Sequence, residues 1–165
     1  MSFLGAMFKI VNELNAFSLK DTREKALNGD VREQFLLGTA YLEGQGVDKN
    51  DWEAAYWFQR AADQGHAKAM TSLGIMYCLG RGVPKDAVEG CKWLIVASRR
   101  GHAPAKKSLE TAKVKLTPDE LVSAEQYADD FIRQWDDEVA TQQANEAPLD
   151  PPSAPTEPNP PHTTD

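Results

Sequence analysis

The groups in this chain that could do chemistry fall in pairs. "YLEGQGV" and, about 36 residues on, "YCLGRGV" each place a Gly-x-Gly after an apolar run, at Gly44 and Gly46 and again at Gly80 and Gly82. Such a pair can cradle a phosphate on backbone N–H groups. A dinucleotide fingerprint, however, needs a strand before it, a helix opening at it and a third glycine. Here helical spacing precedes the glycines, Val47 and Lys49 follow in a turn, and no Walker-type Gly-Lys-Ser or Gly-Lys-Thr occurs. The phosphate reading therefore fails on context. His66 and His102 are the next candidates, as ligands or bases. They hold one position in two copies of a pattern, which separates them by about 10 Å, the spacing of packed helices. A shared zinc would need both within about 2 Å of the metal. No acid or thiol accompanies them at metal spacing, so they read as residues that start helices, while His162 lies in a proline-rich tail. Cys78 and Cys91 match no metal-ligand spacing; they can form a disulfide, but nothing demands one, and they read as free, mostly buried thiols. The carboxylates sit at helix starts or in solvated runs such as Asp129, Asp130, Asp136, Asp137 and Glu138. No catalytic, cofactor or metal set emerges.

What positions these residues is a repeat. Shifting the sequence by about 36 residues, a solenoid period, lays Leu37, Gly38 and Tyr41 on Leu73, Gly74 and Tyr77. The same shift lays Gly44, Gly46, Val47 and Lys49 on Gly80, Gly82, Val83 and Lys85, and Trp57 and Ala61 on Trp93 and Ala97. "GHAKA" at Gly65 meets "GHAPA" at Gly101; backwards, Gly65 falls on Gly29, and forwards, Leu73 falls on Leu109. Each copy reads as two helices. In the first copy Asp30 with Glu33 forms a capping box and Gly44 is the stop; the second helix starts at Asn50 or Asp51 and stops at Gly65. Ala54, Trp57, Phe58, Ala61 and Ala62 form its buried stripe, and Trp93, Leu94 and Ala97 fill the corresponding stripe behind Asp86. Gly38 and Gly74 lie inside helices, where glycine costs roughly 1 kcal/mol against alanine. That cost is consistent with a neighbouring helix passing very close.

"LGTAYLEGQGVDKNDWEAAYWFQRAADQGHAKA" resembles the Sel-one-like repeat, an α/α relative of the tetratricopeptide repeat, over about residues 30 to 110. Asn50 stands where that family prefers Asp, Gly90 and Ser98 replace alanines, and the third copy fades, with Glu110 and Lys113 at the Gly and Tyr positions. The expected fold is all-α: a short α/α superhelical solenoid of helix-turn-helix repeats with capping helices and a disordered Pro-rich tail. The expected parts are an amphipathic capping segment at 1–29, repeats at 30–65 and 66–101, a degenerate half repeat plus capping helix at 102–138, and an acidic tail at 139–165. Phe3, Leu4, Met7, Phe8, Val11 and Leu14 make the N-terminal stripe, whose alternative use is docking on a membrane surface or a partner. Thr117, Pro118 and Glu120 open the C-terminal cap, and Leu121, Ala124, Ala128, Phe131 and Trp135 are its stripe. In the tail, Pro152, Pro155 and Pro158 are spaced as P-x-x-P, a spacing that so proline-rich a segment produces easily by chance.

The resemblance implies a binding surface. In the related tetratricopeptide repeat the first helix of each pair lines the concave face. Aligned on Gly38 and Gly74, the groove positions are Arg32, Phe35, Thr39 and Leu42, then Lys68, Thr71, Ile75 and Cys78, then Lys107, Thr111 and Val114. Arg32, Lys68 and Lys107 would line one side of a partly apolar trough suited to an extended peptide bearing a carboxylate. The alternative is that all of these are plain surface residues; Trp52 and Tyr56, four apart, form a second exposed patch. A net charge of -7 and a pI near 5.0 argue against nucleic acid as a partner. The N-terminus lacks a basic n-region and a cleavage site and is too short to span a bilayer, so the expected location is the cytoplasm. The expected function is a non-enzymatic adaptor holding another protein or peptide. Its rivals are a membrane-associated assembly or secretion factor and a β-lactamase-like hydrolase. The second follows from cysteine-rich relatives linked to penicillin binding, but this chain lacks their cysteine spacing and the S-x-x-K with K-T-G set.

Overall fold

The structure is a computed structural model, and it describes residues 19–146. The N-terminal stripe from Phe3 to Leu14 and the proline-rich segment 147–165 lie outside the described residues. The described residues are helical or in turns: α1 (described over 19–27), α2 (Val31–Glu43), α3 (Asp51–Asp63), α4 (Ala67–Leu79), α5 (Ala87–Arg99), α6 (Ala103–Lys113) and α7 (Pro118–Glu146). The chain divides into two compact units, Met1–Ile132 and Arg133–Asp165, with the last turns of α7 in the second. The first unit is an α/α solenoid in which each helix packs on the next from α2 to α6, and α4 also meets α6.

Local chemistry sets the helix ends. Asp30 accepts from the Glu33 N–H at 3.0 Å, Asn50 from Trp52 and Glu53 at 3.0 and 3.1 Å, and Asp86 from Glu89 at 2.9 Å. At Asp30 only half of the expected capping box forms, because its own N–H is taken by the Lys25 carbonyl at 3.0 Å. The box at Thr117 is complete: Glu120 accepts from the Thr117 N–H and hydroxyl and offers its own N–H to that hydroxyl. The turn after each second helix recurs. The N–H of Gly29, Gly65 and Gly101 reaches back three residues, to Ala26, Ala62 and Ser98, at 2.9–3.1 Å. The described part of α1 is thus the second helix of a decayed hairpin, with Leu19 and Ala26 packed beside Leu37 and Trp57.

The main core joins Phe58, Met70, Leu73, Trp93, Leu94 and Val96 with Ala124 and Ala128 of α7. Trp93 meets Phe131 edge-on at 4.9 Å, and Arg99 pairs with Asp129. Burying a large apolar side chain contributes about 1.5–3 kcal/mol, so this junction holds the start of α7 onto α5. The helix continues to Glu146, through 139–146, where a tail was expected. One buried polar group is satisfied within the core: Gln34 donates to the Ala26 carbonyl at 3.1 Å and accepts from Gln64 at 2.7 Å, tying α1, α2 and the end of α3 together.

Candidate partner-binding site

The first helices do not present their expected groove positions alike. Arg32, Lys68 and Lys107 are exposed, and Lys107 lies one turn further along its helix than the other two. Phe35 and Thr71 do not line a groove. Phe35 stacks on His66 at 4.6 Å and tilts against Phe58 at 5.7 Å. Thr71, at the same repeat position, is buried and lies 2.7 Å from His102. Both fill the seam between hairpin layers, which closes over this side of the helix. Thr39 bonds the Phe35 carbonyl, Leu42 is half-buried against the core, and Val114 is exposed at the end of α6.

The two histidines start helices in different ways. His66 Nδ1 accepts from the Ala69 N–H at 3.2 Å, which places the ring proton on Nε2. His102 makes no side-chain cap. Thr71 has a single hydroxyl proton, and it points to the Ala67 carbonyl at 2.9 Å, so His102 Nδ1–H donates to Thr71. Burial, aided by the charge of Lys68, holds the His66 imidazole below the ordinary value of 6.5. Protonation would occupy Nδ1 and displace the cap. The unfolded chain takes up the proton first, so the stability held by neutral His66 is complete above pH 6.5 and declines as the pH falls below it. A His66→Asn variant keeps an acceptor at the cap and is expected to flatten the stability profile below pH 6.5. Urea midpoints at acid and neutral pH measure this; an unchanged slope would place the proton uptake elsewhere.

Three groove positions do converge. Ile75 and Cys78, with Leu79, form one wall of a cavity of about 420 Å³ between α4, α5 and α6. Leu94 and Ala112 extend its apolar surface. Ser108 and Thr111 line it from α6, and Lys85 and Lys115 from the turns before α5 and after α6. No ion pair engages Lys85 or Lys115 among the described residues. Cys91 is fully buried on α5 and neighbours Cys78; its thiol, helped by the charge of Lys115, holds that of Cys78 below its ordinary value, while Cys78 and burial push Cys91 up. Leu79, Lys85, Ser108 and Lys115 were missed in the sequence. Lys85 was visible only as a repeated turn residue, and Lys115 lies beyond the repeat.

The glycine turns are spent on their own helix ends. The N–H groups of Gly44 and Gln45 both reach the Ala40 carbonyl, at 2.8 and 2.9 Å, and that of Arg81 reaches Met76. These amides are not free to cradle a phosphate. Among the described residues no group of His, Cys, Asp or Glu is placed to hold a metal, and no helix is long and apolar enough to cross a membrane.

Hairpins of equal helix length, stacked at a fixed sequence interval, define an α/α repeat protein. The repeat is a known one: residues 34–66 and 67–102 match the Sel1 repeat, and the chain carries two Sel1 repeats. It is similar to c5321, a protective antigen of uropathogenic Escherichia coli strains displaying an SLR fold, at 28% identity and TM-score 0.71 over 86% of this chain and 31% of that one. It is also similar to a Sel1 repeat protein from Oxalobacter formigenes, at 40% identity and TM-score 0.57 over 58% of this chain and 28% of that one. The chain therefore spans less than a third of either protein. No curated protein matches it. Sel1 repeats generally serve as non-catalytic scaffolds for protein–protein interaction.

Proposed function

We propose that this chain is a non-enzymatic adaptor, working in the cytoplasm, that holds a segment of another protein along the face formed by α4 and α6. The observation that carries this reading is the apolar cavity flanked by exposed Ile75 and Leu79 and by two lysines that no ion pair engages among the described residues. Exposed apolar side chains beside a cavity are where partners bury surface. Arg32 and Lys68 are exposed on the first turns of α2 and α4. An otherwise acidic chain that gathers cations at one apolar site favours an acidic segment over nucleic acid.

The test compares proteins captured by the wild-type chain with those captured by a Leu79→Asp, Lys68→Glu variant whose circular dichroism is unchanged. Both residues are exposed, so folding should survive. Loss of specific partners from the variant supports the reading; an identical set of partners would overturn it.

A further inference from the structure

We propose that the cavity between α4, α5 and α6 receives the carboxyl-terminal residue of a partner polypeptide: its aliphatic side chain against Ile75, Leu79, Leu94 and Ala112, its α-carboxylate held by Lys85 and Lys115. This deepens the adaptor reading and rests on it. The lining is mixed in a particular way. The wall is aliphatic, and among the described residues the charged side chains that line the cavity are those of two lysines, with no carboxylate beside them. Asp86, the acid whose field reaches Cys78, is engaged at the start of α5, where it accepts the Glu89 N–H. The field of Lys115 reaches the sulfur of Cys78 on the cavity wall, where it favours negative charge. The occupant must therefore present an apolar group and an anion together.

Chain geometry narrows the choice. In an extended peptide neighbouring side chains point to opposite faces and those on one face recur about 7 Å apart, so an internal leucine and acid reach one site only at that separation. Only the last residue of a chain carries a carboxylate on the same Cα as an aliphatic side chain. A volume of about 420 Å³ is at the small end of ligand sites, where one or two residues fit and a long segment does not. The hydroxyls of Ser108 and Thr111 can donate to carboxylate oxygens that the lysines leave open, although Thr111 also bonds the Lys107 carbonyl at 3.3 Å.

The experiment uses the full chain and fluorescein-labelled hexapeptides of neutral sequence, each ending in a different aliphatic residue, as the free acid and as the amide. At least one free acid is expected to bind, and its amide to bind at least about tenfold more weakly, as loss of a charge-assisted contact implies. A Lys85→Glu, Lys115→Glu variant should lose the difference between acid and amide. The bound peptide should also slow alkylation of Cys78 by a maleimide; Cys91 is fully buried, so Cys78 is the thiol that reacts. Equal binding of acid and amide, or no protection of Cys78, would overturn the proposal. So would decanoate displacing the peptide and binding more tightly, which would make the occupant a free aliphatic acid. Partners that are lost with the Leu79→Asp, Lys68→Glu variant but kept by the Lys85→Glu, Lys115→Glu variant would leave the adaptor reading standing and remove this one. Partners kept by both variants would remove both.

Discussion

A Gly82→Ala variant is expected to lose more than about 3 kcal/mol of folding stability, the sum of backbone strain and an unrelieved clash. Gly82 has φ +69, and a Cβ built on it would lie 2.0 Å from the Asp51 carbonyl oxygen and 2.8 Å from the Trp52 nitrogen. Both are backbone atoms at the start of α3, so no side-chain rotation relieves the overlap. The turn would have to lift off the preceding hairpin. Lifting it would also separate Arg81 from Asp51, which pair through Nη2–Oδ1 at 2.8 Å and Nε–Oδ2 at 3.2 Å. Gly101 supplies the control: its φ is +83, yet nothing lies within 4 Å of its built Cβ. Gly101→Ala should cost only the conformational part, about 1–2 kcal/mol. Urea unfolding followed by circular dichroism reads both; equal losses at the two positions would mean that the contact with α3 contributes nothing.

The second large effect is expected at Gly90. Alanine is better than glycine inside a helix by roughly 1 kcal/mol, so propensity alone predicts that Gly90→Ala stabilises. Packing predicts the opposite sign. A Cβ there would meet Cys78 Sγ at 2.5 Å, the Gly74 carbonyl at 2.7 Å and the Cys78 nitrogen at 3.0 Å. Gly74 answers from α4, its own built Cβ lying 2.8 Å from the Gly90 carbonyl. Two helices touch backbone to backbone, and a methyl group would force them apart at a cost of about 1–3 kcal/mol. Removing one obstacle in Gly90→Ala, Cys78→Ala should recover part of the loss. Gly38→Ala should be milder, because its neighbour is the Phe58 ring at 2.7 Å, which can tilt. If Gly90→Ala raises the urea midpoint, the close contact is not what the glycine is for.

The repeat was legible because its signals are local. Asp30, Asn50 and Asp86 cap within three residues, and Gly44 and Gly80 end their helices in the left-handed conformation at φ 75 and 70. Of the two candidate caps of α3, Asn50 and Asp51, it is Asn50 that caps, which leaves Asp51 to pair with Arg81. Gly90, read as a lost alanine, is a contact point that depends on what lies opposite. Phe35 and Thr71 were placed in the groove because helix periodicity identifies a face but not the neighbour that covers it. Gln34 carries no signal in the sequence, because the paths of α1 and α3 are what make it a buried tie. The cavity was half visible: α4 and α6 contribute by repeat position, whereas Lys85 and Lys115 arrive from turns whose course no periodicity dictates.

The two seams between layers differ in their elasticity. At the first, Phe35 lies on the His66 ring; attraction between apolar faces is non-directional, so the rings can slide without losing much of it. At the second, Thr71 and His102 share a bond of 2.7 Å, and a hydrogen bond weakens steeply once its geometry is disturbed. Under a bending load the seam between α2 and α4 is therefore expected to yield before the one between α4 and α6. The 420 Å³ cavity opens on the α4–α6 side. A ligand bound there would meet walls expected to hold their spacing, with flexing of the array taken up one layer away.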